Sequence, residues 1–265
     1  MITNEQVDTF IQQGAVILDH VLEPRLIEMA SECMDRHYAP YTQQKTGVFQ
    51  YVLGEAFESI YQHINFETIA KRVLGCDKVD FVASAILHTL PNTKEWHYDA
   101  NTEHVDIQYN EVELCLCPRN ILVTFMIFLD DVTAERAPTV VRLGSHLALA
   151  KHHGSKNAFK DTPVYLPHLP TLDFSPVTPL TGRKGQVAIS TTALIHTGSY
   201  NATEKARKVM FVSYAPTGSN IRFNADMVPQ RLEYMKVLHR RFLLERKHLV
   251  EGTIKQLEGM LIPSK

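Results

Sequence analysis

The sequence has no long hydrophobic run, no basic leader and no excess of charge of one sign. Its longest apolar stretches, such as residues 121–129, are about half as long as a helix that crosses a bilayer. Residues 1–6 lack the basic and apolar regions of a secretory signal, so we expect a cytoplasmic protein without membrane contacts. The net charge of −2 offers no basic surface to nucleic acid.

Cysteine is also scarce, and its spacing argues against a zinc-binding small domain and against a disulfide-rich small domain. The cysteines are Cys33, Cys76, Cys115 and Cys117. Their spacing is not that of a zinc framework, and a chain of 265 residues does not need disulfides to fold. Hydrophobic residues make up 45% of the sequence, which is enough for a sizeable core. Internal repeats and linkers are lacking as well, so we expect one domain that spans residues 1–265.

The hydrophobic periodicity changes along the chain from helical to strand-like and back to helical. A capping box at Thr3 and Gln6 with a terminal Gly14 predicts a first helix over residues 4–13. Further helices are predicted from Pro24 and over 58–74, 229–247 and 249–260, and strands over 15–18, 79–90, 94–99, 120–129, 139–143, 186–190, 193–197 and 207–214. Residues 100–118 and 147–175 are predicted to be long connections. This order predicts an α+β fold, mainly β, built on a sandwich or barrel.

A candidate metal-binding motif lies in the predicted strand 94–99. His97 and Asp99 are two residues apart, and side chains at i and i+2 project from the same face of a strand. A second imidazole, His196, follows 99 positions later (196 − 97) in another predicted strand. Two histidines and one carboxylate form the facial triad of non-haem Fe(II) oxygenases, with positions open for substrate and O₂. Because H-x-D arises often by chance, a satisfied core histidine is the alternative for the motif taken alone.

A cation follows the second histidine of this motif. Arg207 comes eleven residues after His196 (207 − 196) and opens a predicted strand. Oxygenases of this type need a two-electron reductant, commonly 2-oxoglutarate, and a planar guanidinium suits the far carboxylate of that molecule. A surface arginine in an ion pair is the alternative for this residue.

Four motifs in order resemble the phytanoyl-CoA dioxygenase family. They are His97-Tyr98-Asp99, residues 137–146 (APTVVRLGSH), residues 196–203 (HTGSYNAT) and Arg207. Within that family, these motifs resemble those of the fungal natural-product branch, the meroterpenoid and fumitremorgin-type oxygenases. The resemblance implies a double-stranded β-helix, or jelly-roll, with helices flanking it at both termini.

The same resemblance implies the cofactors and the residues that hold them. Fe(II) is expected on His97, Asp99 and His196, with O₂ as co-reactant. The cosubstrate 2-oxoglutarate is expected on Arg207 and Thr139, and on Lys94, which stands where the branch has a glutamine. Halogenases of this family replace the ligand carboxylate with a small residue that admits chloride. Because Asp99 is retained here, the resemblance disfavours halogenation.

Strand alternation predicts which residues line the substrate side. Arg207 and Ser213 share one face of their strand, and Leu122, Thr124 and Met126 share one face of the central strand. Phe49 and Tyr51, ahead of the third helix, are candidates for a lid. Simple core packing is the alternative for each of these residues.

The leading hypothesis is an Fe(II)- and 2-oxoglutarate-dependent dioxygenase that hydroxylates, desaturates or rearranges a small, largely apolar natural product. The same enzyme class acting on a small polar metabolite, such as an amino acid or a phosphonate, is an alternative. A non-catalytic jelly-roll partner subunit would be expected to lose one of the site residues, and a zinc hydrolase would leave Arg207 without a purpose. The sequence is compatible with a homodimer.

Overall fold

The computed structural model describes residues 2–41, 46–106, 122–153, 164–165, 171–219, 221 and 223–261. Within these ranges the α-helices are α1 (Asn4–Gln13), α2 (Pro24–Tyr38), α3 (Glu55–Tyr61), α4 (Ile64–Leu74), α5 (Ser145–His153), α6 (Val228–Arg241) and α7 (His248–Met260). The strands are β1 (Ala15–Leu18), β2 (Thr46–Gln50), β3 (Val79–Thr89), β4 (His104–Val105), β5 (Val123–Phe128), β6 (Thr139–Val141), β7 (Val164–Tyr165), β8 (Thr178–Leu180), β9 (Val187–Thr191), β10 (His196–Thr197) and β11 (Arg207–Pro216). None of the described helices is long and apolar enough to cross a bilayer. Cys115 and Cys117 lie outside the described residues.

Local signals fix the ends of the N-terminal helices. The Thr3 side chain accepts from the backbone N–H of Gln6, whose own side chain caps Thr3 in return, and Gly14 ends α1 with a φ of 81°. The predicted helix over 58–74 is instead two helices, α3 and α4. His63 separates them because its Nδ1 accepts from the backbone N–H of Asn65 and so begins a new helix.

The strands form two antiparallel sheets. The larger has the order β1-β9-β5-β11-β3-β2, and the smaller has the order β7-β4-β10-β6-β8. From β3 onward the chain crosses between them: β3, β5, β9 and β11 lie in the larger sheet, and β4, β6, β8 and β10 lie in the smaller. This path is that of a double-stranded β-helix. The predicted jelly-roll with flanking helices is therefore confirmed.

Apolar side chains fill two layers on either side of the six-stranded sheet. The larger cluster lies between this sheet and the helices and includes Met210, Val212 and Tyr214 of β11. The smaller lies between the two sheets and includes Val209 of β11, with Phe211 packed against it. Alternation along the first part of β11 therefore directs Val209 and Phe211 into the space between the sheets.

Three predicted segments differ in the structure. Residues 94–99 are not a strand, because Trp96 and His97 are tied to the segment that follows β10: Nε1 of Trp96 donates to Oγ of Ser199 at 3.1 Å, and the N–H of Tyr200 donates to the carbonyl of His97 at 2.9 Å. The polar connection predicted over 100–118 contains β4, and the connection predicted over 147–175 begins inside α5.

Candidate functional site

Two histidines and one aspartate meet where β4 pairs with β10. His104 lies opposite His196 in the antiparallel register of these strands, and Asp106 comes two residues after His104. Nε2 of His104 lies 3.3 Å from Oδ1 of Asp106, and Nε2 of His196 lies 3.4 Å from Oδ2. One potential ligand atom from each residue lies within 4.8 Å of the other two. Two nitrogens and one oxygen so arranged could hold an iron ion with coordination positions left open.

Both imidazoles are oriented by nearby backbone. Nδ1 of His104 lies 2.7 Å from the carbonyl oxygen of Thr102, and Nδ1 of His196 lies 2.9 Å from that of Leu194. Because a carbonyl oxygen only accepts, each Nδ1 donates its proton, and each Nε2 is directed toward Asp106. A ligating histidine needs this tautomer, and a hydrogen bond from its second nitrogen holds the ring in place.

The charges of the cluster support one another. Desolvation in the cavity would raise the pKa of Asp106, but the two imidazoles overcome it and hold that pKa well below its usual range. Burial would lower the pKa of His196, but the carboxylate of Asp106 reverses the effect and raises it. A carboxylate that stays ionised is the form in which aspartate binds a metal.

The structure does not bring His97 and Asp99 to His196, so the predicted proximity of these three residues is wrong. His97 is exposed and stacks on the ring of Tyr200, with centroids 4.1 Å apart. Asp99 is exposed too, and its Oδ1 accepts from the backbone N–H of Asn101 at 2.9 Å. Of the predicted triad, His196 alone belongs to the cluster.

The residues that sequence reasoning missed form a second H-x-D motif, His104-Val105-Asp106. An apolar residue between two polar ones is the alternation of a half-buried strand. Val105 is buried and packs in a cluster with Leu149 and Ile195. Residues 95–99 show the same alternation, so the sequence marks this motif as a second candidate without choosing it over the first.

Arg207 brings a buried guanidinium to the same region. It begins β11 and is only 1% exposed. Its Nη2 donates to Oγ1 of Thr139 at 2.9 Å and lies 3.3 Å from the sulfur of Met126, while its Nε has no partner. Burial lowers its pKa to about 9, and within the described residues no carboxylate forms an ion pair with it. A buried cation of this kind is costly unless an anion joins it.

One cavity connects the histidine cluster with the surroundings of Arg207. Asp106 and His196 line it on one side, and Thr139 and Met126, which contact Arg207, line it as well. The rest of its described lining is Thr124, Val141, Leu180, Ala188, Ser190, Thr191, Thr192, Leu194 and Phe211. The predicted site residues Thr139, Thr124 and Met126 therefore lie at this cavity.

Three hydroxyl groups lie side by side across the larger sheet, and we call Ser190, Thr124 and Ser213 the hydroxyl row. Ser190 of β9 pairs with Thr124 of β5, which pairs with Ser213 of β11. Oγ1 of Thr124 lies 2.9 Å from Oγ of Ser213. Two members line the cavity directly, and Ser213 is buried beside them.

Four other predicted residues lie away from the cavity. Leu122 precedes β5, so strand alternation does not govern it, and its side chain joins the apolar cluster beneath the helices. Phe49 and Tyr51 pack against that same cluster on the helix side of the larger sheet, so they do not cover the cavity. Lys94 is exposed and is not among the described residues that line the cavity.

Solved structures of similar fold come from several enzymes. The epimerase SnoN, in complex with Fe³⁺, alpha ketoglutarate and nogalamycin RO, has a TM-score of 0.60 at 13% identity, covering 80% of this chain and 83% of SnoN. The alpha ketoglutarate-dependent carbocyclase SnoK from nogalamycin biosynthesis has a TM-score of 0.59 at 18% identity, covering 82% and 85%. EctD from S. alaskensis, with 2-oxoglutarate and 5-hydroxyectoine, has a TM-score of 0.56 at 16% identity, covering 83% and 78%. At these identities the likeness concerns the fold.

Sequence comparison identifies the family. No curated protein matches the chain. The sequence profile of phytanoyl-CoA dioxygenase (PhyH) matches residues 10–209, which is more than half of the chain. The narrower resemblance to a fungal natural-product branch stays a prediction. The chain belongs to the phytanoyl-CoA dioxygenase family and is an Fe(II)- and 2-oxoglutarate-dependent dioxygenase.

Proposed function

We propose that His104, Asp106 and His196 bind the Fe(II) of this dioxygenase and that Arg207 and Thr139 bind its 2-oxoglutarate. The observation that carries this proposal is the shared cavity: it joins a two-histidine, one-carboxylate cluster to a buried guanidinium without a counter-charge. The metal accounts for the cluster, and a dicarboxylate that also reaches the guanidinium accounts for Arg207.

Each protein group then has a defined task. When bound, iron and 2-oxoglutarate together supply the oxidising power that activates O₂ and removes a hydrogen atom from the substrate. The two imidazoles present Nε2 because their Nδ1 protons are held by backbone carbonyls. Arg207 orients a carboxylate through a planar, two-pronged contact, and Thr139 keeps that guanidinium in position. The apolar lining between them keeps water from competing.

The substrate that fits this cavity is a neutral, largely apolar natural product that carries a hydroxyl or carbonyl group. Asp106 is the carboxylate among the described residues that line the cavity, and Arg207 lies next to it behind Thr139 and Met126. Both charges already have assigned partners. The hydroxyl row offers hydrogen-bond donors and acceptors on an otherwise apolar wall. An amino acid or a phosphonate would leave its own charge unpaired there, which costs free energy. The descriptions of SnoN and SnoK as enzymes of nogalamycin biosynthesis also support a natural-product substrate.

An anaerobic Fe(II) titration with and without 2-oxoglutarate tests the proposal. We expect one Fe(II) per chain and a visible charge-transfer band when 2-oxoglutarate is added. His104→Ala and Asp106→Ala should weaken iron binding by more than the roughly 10–100-fold that follows loss of a supporting residue.

The first H-x-D motif supplies matched controls. His97→Ala and Asp99→Ala remove the same residue types seven positions earlier (104 − 97) and should leave iron binding unchanged. If His97→Ala abolished binding while His104→Ala kept it, the ligand assignment would be overturned.

A further inference from the structure

Arg142 contacts the residues that immediately precede both histidines of the metal cluster. Its backbone N–H donates to the carbonyl oxygen of Ile195 at 2.9 Å, one residue before His196. Its side chain forms a two-pronged ion pair with Glu103, one residue before His104. The second of those contacts, from Nη2 to Oε1, is 2.9 Å long. One arginine thus joins both ligand-bearing strands.

In this Glu103–Arg142 pair the carboxylate is buried and the arginine side chain is half-buried. Glu103 is 1% exposed and comes one residue before His104, so the two side chains leave the chain on opposite faces. Nη1 of Arg142 donates to the carbonyl of Ser175 at 3.0 Å, and Oγ of Ser175 donates to that of Leu143 at 2.7 Å. The pair is therefore fixed at several points and cannot swing freely.

We propose that Glu103 and Arg142 are positioning residues that set the separation of the two iron-binding histidines. The inference rests on the proposed iron ligands, because it concerns the geometry of those residues.

The Glu103–Arg142 pair matters for the spacing of the two histidines because β4 is short. β4 has two residues, and its pairing with β10 has one register position, His104 with His196. So few backbone contacts leave the spacing of the ligands weakly determined. A metal site requires its ligands within about 0.5 Å of the productive geometry, which supporting contacts must provide. The pair spans β10 from β6 to β4 and supplies this contact from the face away from the metal.

Replacement of the pair by apolar side chains tests the proposal, since such replacement often preserves stability while removing the directional contact. For Glu103→Met/Arg142→Met we expect the Fe(II) dissociation constant to rise by about 10–100-fold. The visible spectrum of the Co(II)-loaded protein, which reports coordination geometry, should change as well. Arg142→Lys should recover part of the affinity, because a lysine keeps the charge but not the fork.

A second buried pair provides the matched control. Glu67 and Arg246 form an ion pair of similar burial on the helix side of the larger sheet, with side chains 7% and 10% exposed. Glu67→Met/Arg246→Met should leave the Fe(II) affinity and the Co(II) spectrum unchanged, whatever its effect on thermal stability. If both double variants weakened metal binding equally, the effect would be one of general stability, and the positioning role would be overturned.

Two further measurements keep the outcomes distinct. Glu103→Gln keeps the size and shape of the side chain, so this variant should fold even if the double variant does not. If both Glu103→Gln and Arg142→Lys bound Fe(II) within twofold of the wild-type affinity, the positioning role would be overturned. His104→Ala is measured in parallel. If His104→Ala bound Fe(II) normally, the assignment of the iron ligands would fail. If the Glu103 and Arg142 variants bound Fe(II) normally while His104→Ala did not, only the positioning role would be refuted.

Discussion

Arg207 is buried beside the cavity, in contact with Thr139 and Met126, and forms no ion pair within the described residues. Its replacement should separate the binding of 2-oxoglutarate from that of iron. We expect Arg207→Ala to raise the KM for 2-oxoglutarate at least about a hundredfold while iron affinity stays nearly constant. Loss of a charge-assisted, two-pronged contact costs about 2–5 kcal/mol, and about 1.4 kcal/mol corresponds to a factor of ten. Arg207→Lys should recover part of the loss.

Steady-state kinetics with varied 2-oxoglutarate, together with the Fe(II) titration, measure both quantities. A KM that stayed within about twofold of wild type would mean that 2-oxoglutarate is anchored elsewhere.

Single residues show both the reach and the limit of sequence reasoning. Thr139 and His196 line one cavity, and Arg207 contacts Thr139 beside it. Their placement in strands could be predicted because the sequence around each shows strand-like alternation of polar and apolar residues. The expected proximity of His97 and Asp99 to His196 is not found because the chain has two H-x-D motifs and spacing alone does not choose between them. The choice depends on strand pairing, in which His104 faces His196, and that contact spans residues far apart in sequence.

Helix α7 packs so closely on β3 that one of its glycines cannot be replaced without cost. A Cβ at Gly252 would lie 2.1 Å from Oδ2 of Asp80, a buried side chain that accepts from Oγ1 of Thr217 at 3.1 Å. Gly259 in the same helix has nothing within 4 Å of such a Cβ. We expect Gly259→Ala to stabilise the protein by about 0.5–1 kcal/mol through helix propensity. Gly252→Ala should destabilise it by about 1–3 kcal/mol through overpacking.

Urea denaturation of the two variants measures the difference. Equal stabilisation by both would show that Asp80 yields without cost and that the contact between α7 and β3 is loose.

Elements were predictable where a local signal sets their ends. The capping box and Gly14 define α1 over the predicted residues. The predicted helix over 58–74 was wrong because the helical periodicity of the sequence continues past His63. In the structure His63 caps α4 and so separates it from α3. Residues 94–99 alternate like a strand but are held by side-chain contacts to the segment after β10, which periodicity does not contain.

The folded protein should lose stability in acid partly through one buried carboxylate. Desolvation would raise the pKa of Glu67, but hydrogen bonds from Lys71 and Arg246 overcome it and lower that pKa from 4.5 to about 2. A lowered folded-state pKa gives stability that is fully present above pH 4.5 and is lost as the pH falls toward 2. At about 1.4 kcal/mol per pKa unit, this group should contribute roughly 3 kcal/mol to the free energy of unfolding at neutral pH.

The comparison of Glu67→Gln with wild type isolates this contribution. We expect the variant to be less stable at pH 7 and the difference in unfolding free energy to shrink toward zero near pH 2. Glu233→Gln, which removes an exposed ion pair with Arg240, should match wild type across this range. A difference for Glu67→Gln that stayed constant with pH would rule out the proposed ionisation.

At the scale of the molecule, the order of helices and strands was sufficient to predict the fold class. Short strands between terminal helices indicate a mainly β core, and the family resemblance indicates the jelly-roll. Periodicity shows which face of a strand is apolar, but it does not show which strands become neighbours. The crossing of the chain between the sheets, which brings His104 and His196 together, could therefore be learned only from the structure.

The meeting of His104 and His196 has a mechanical consequence. These residues are 92 positions apart (196 − 104), and they lie near an edge of the smaller sheet where β4 and β7 have two residues each. An ion bound there, as proposed, would act as a cross-link that closes a loop of this length, and closing a long loop removes much conformational freedom from the open chain. If His104 and His196 bind the iron as proposed, loss of the metal loosens this edge of the smaller sheet before it affects the larger sheet.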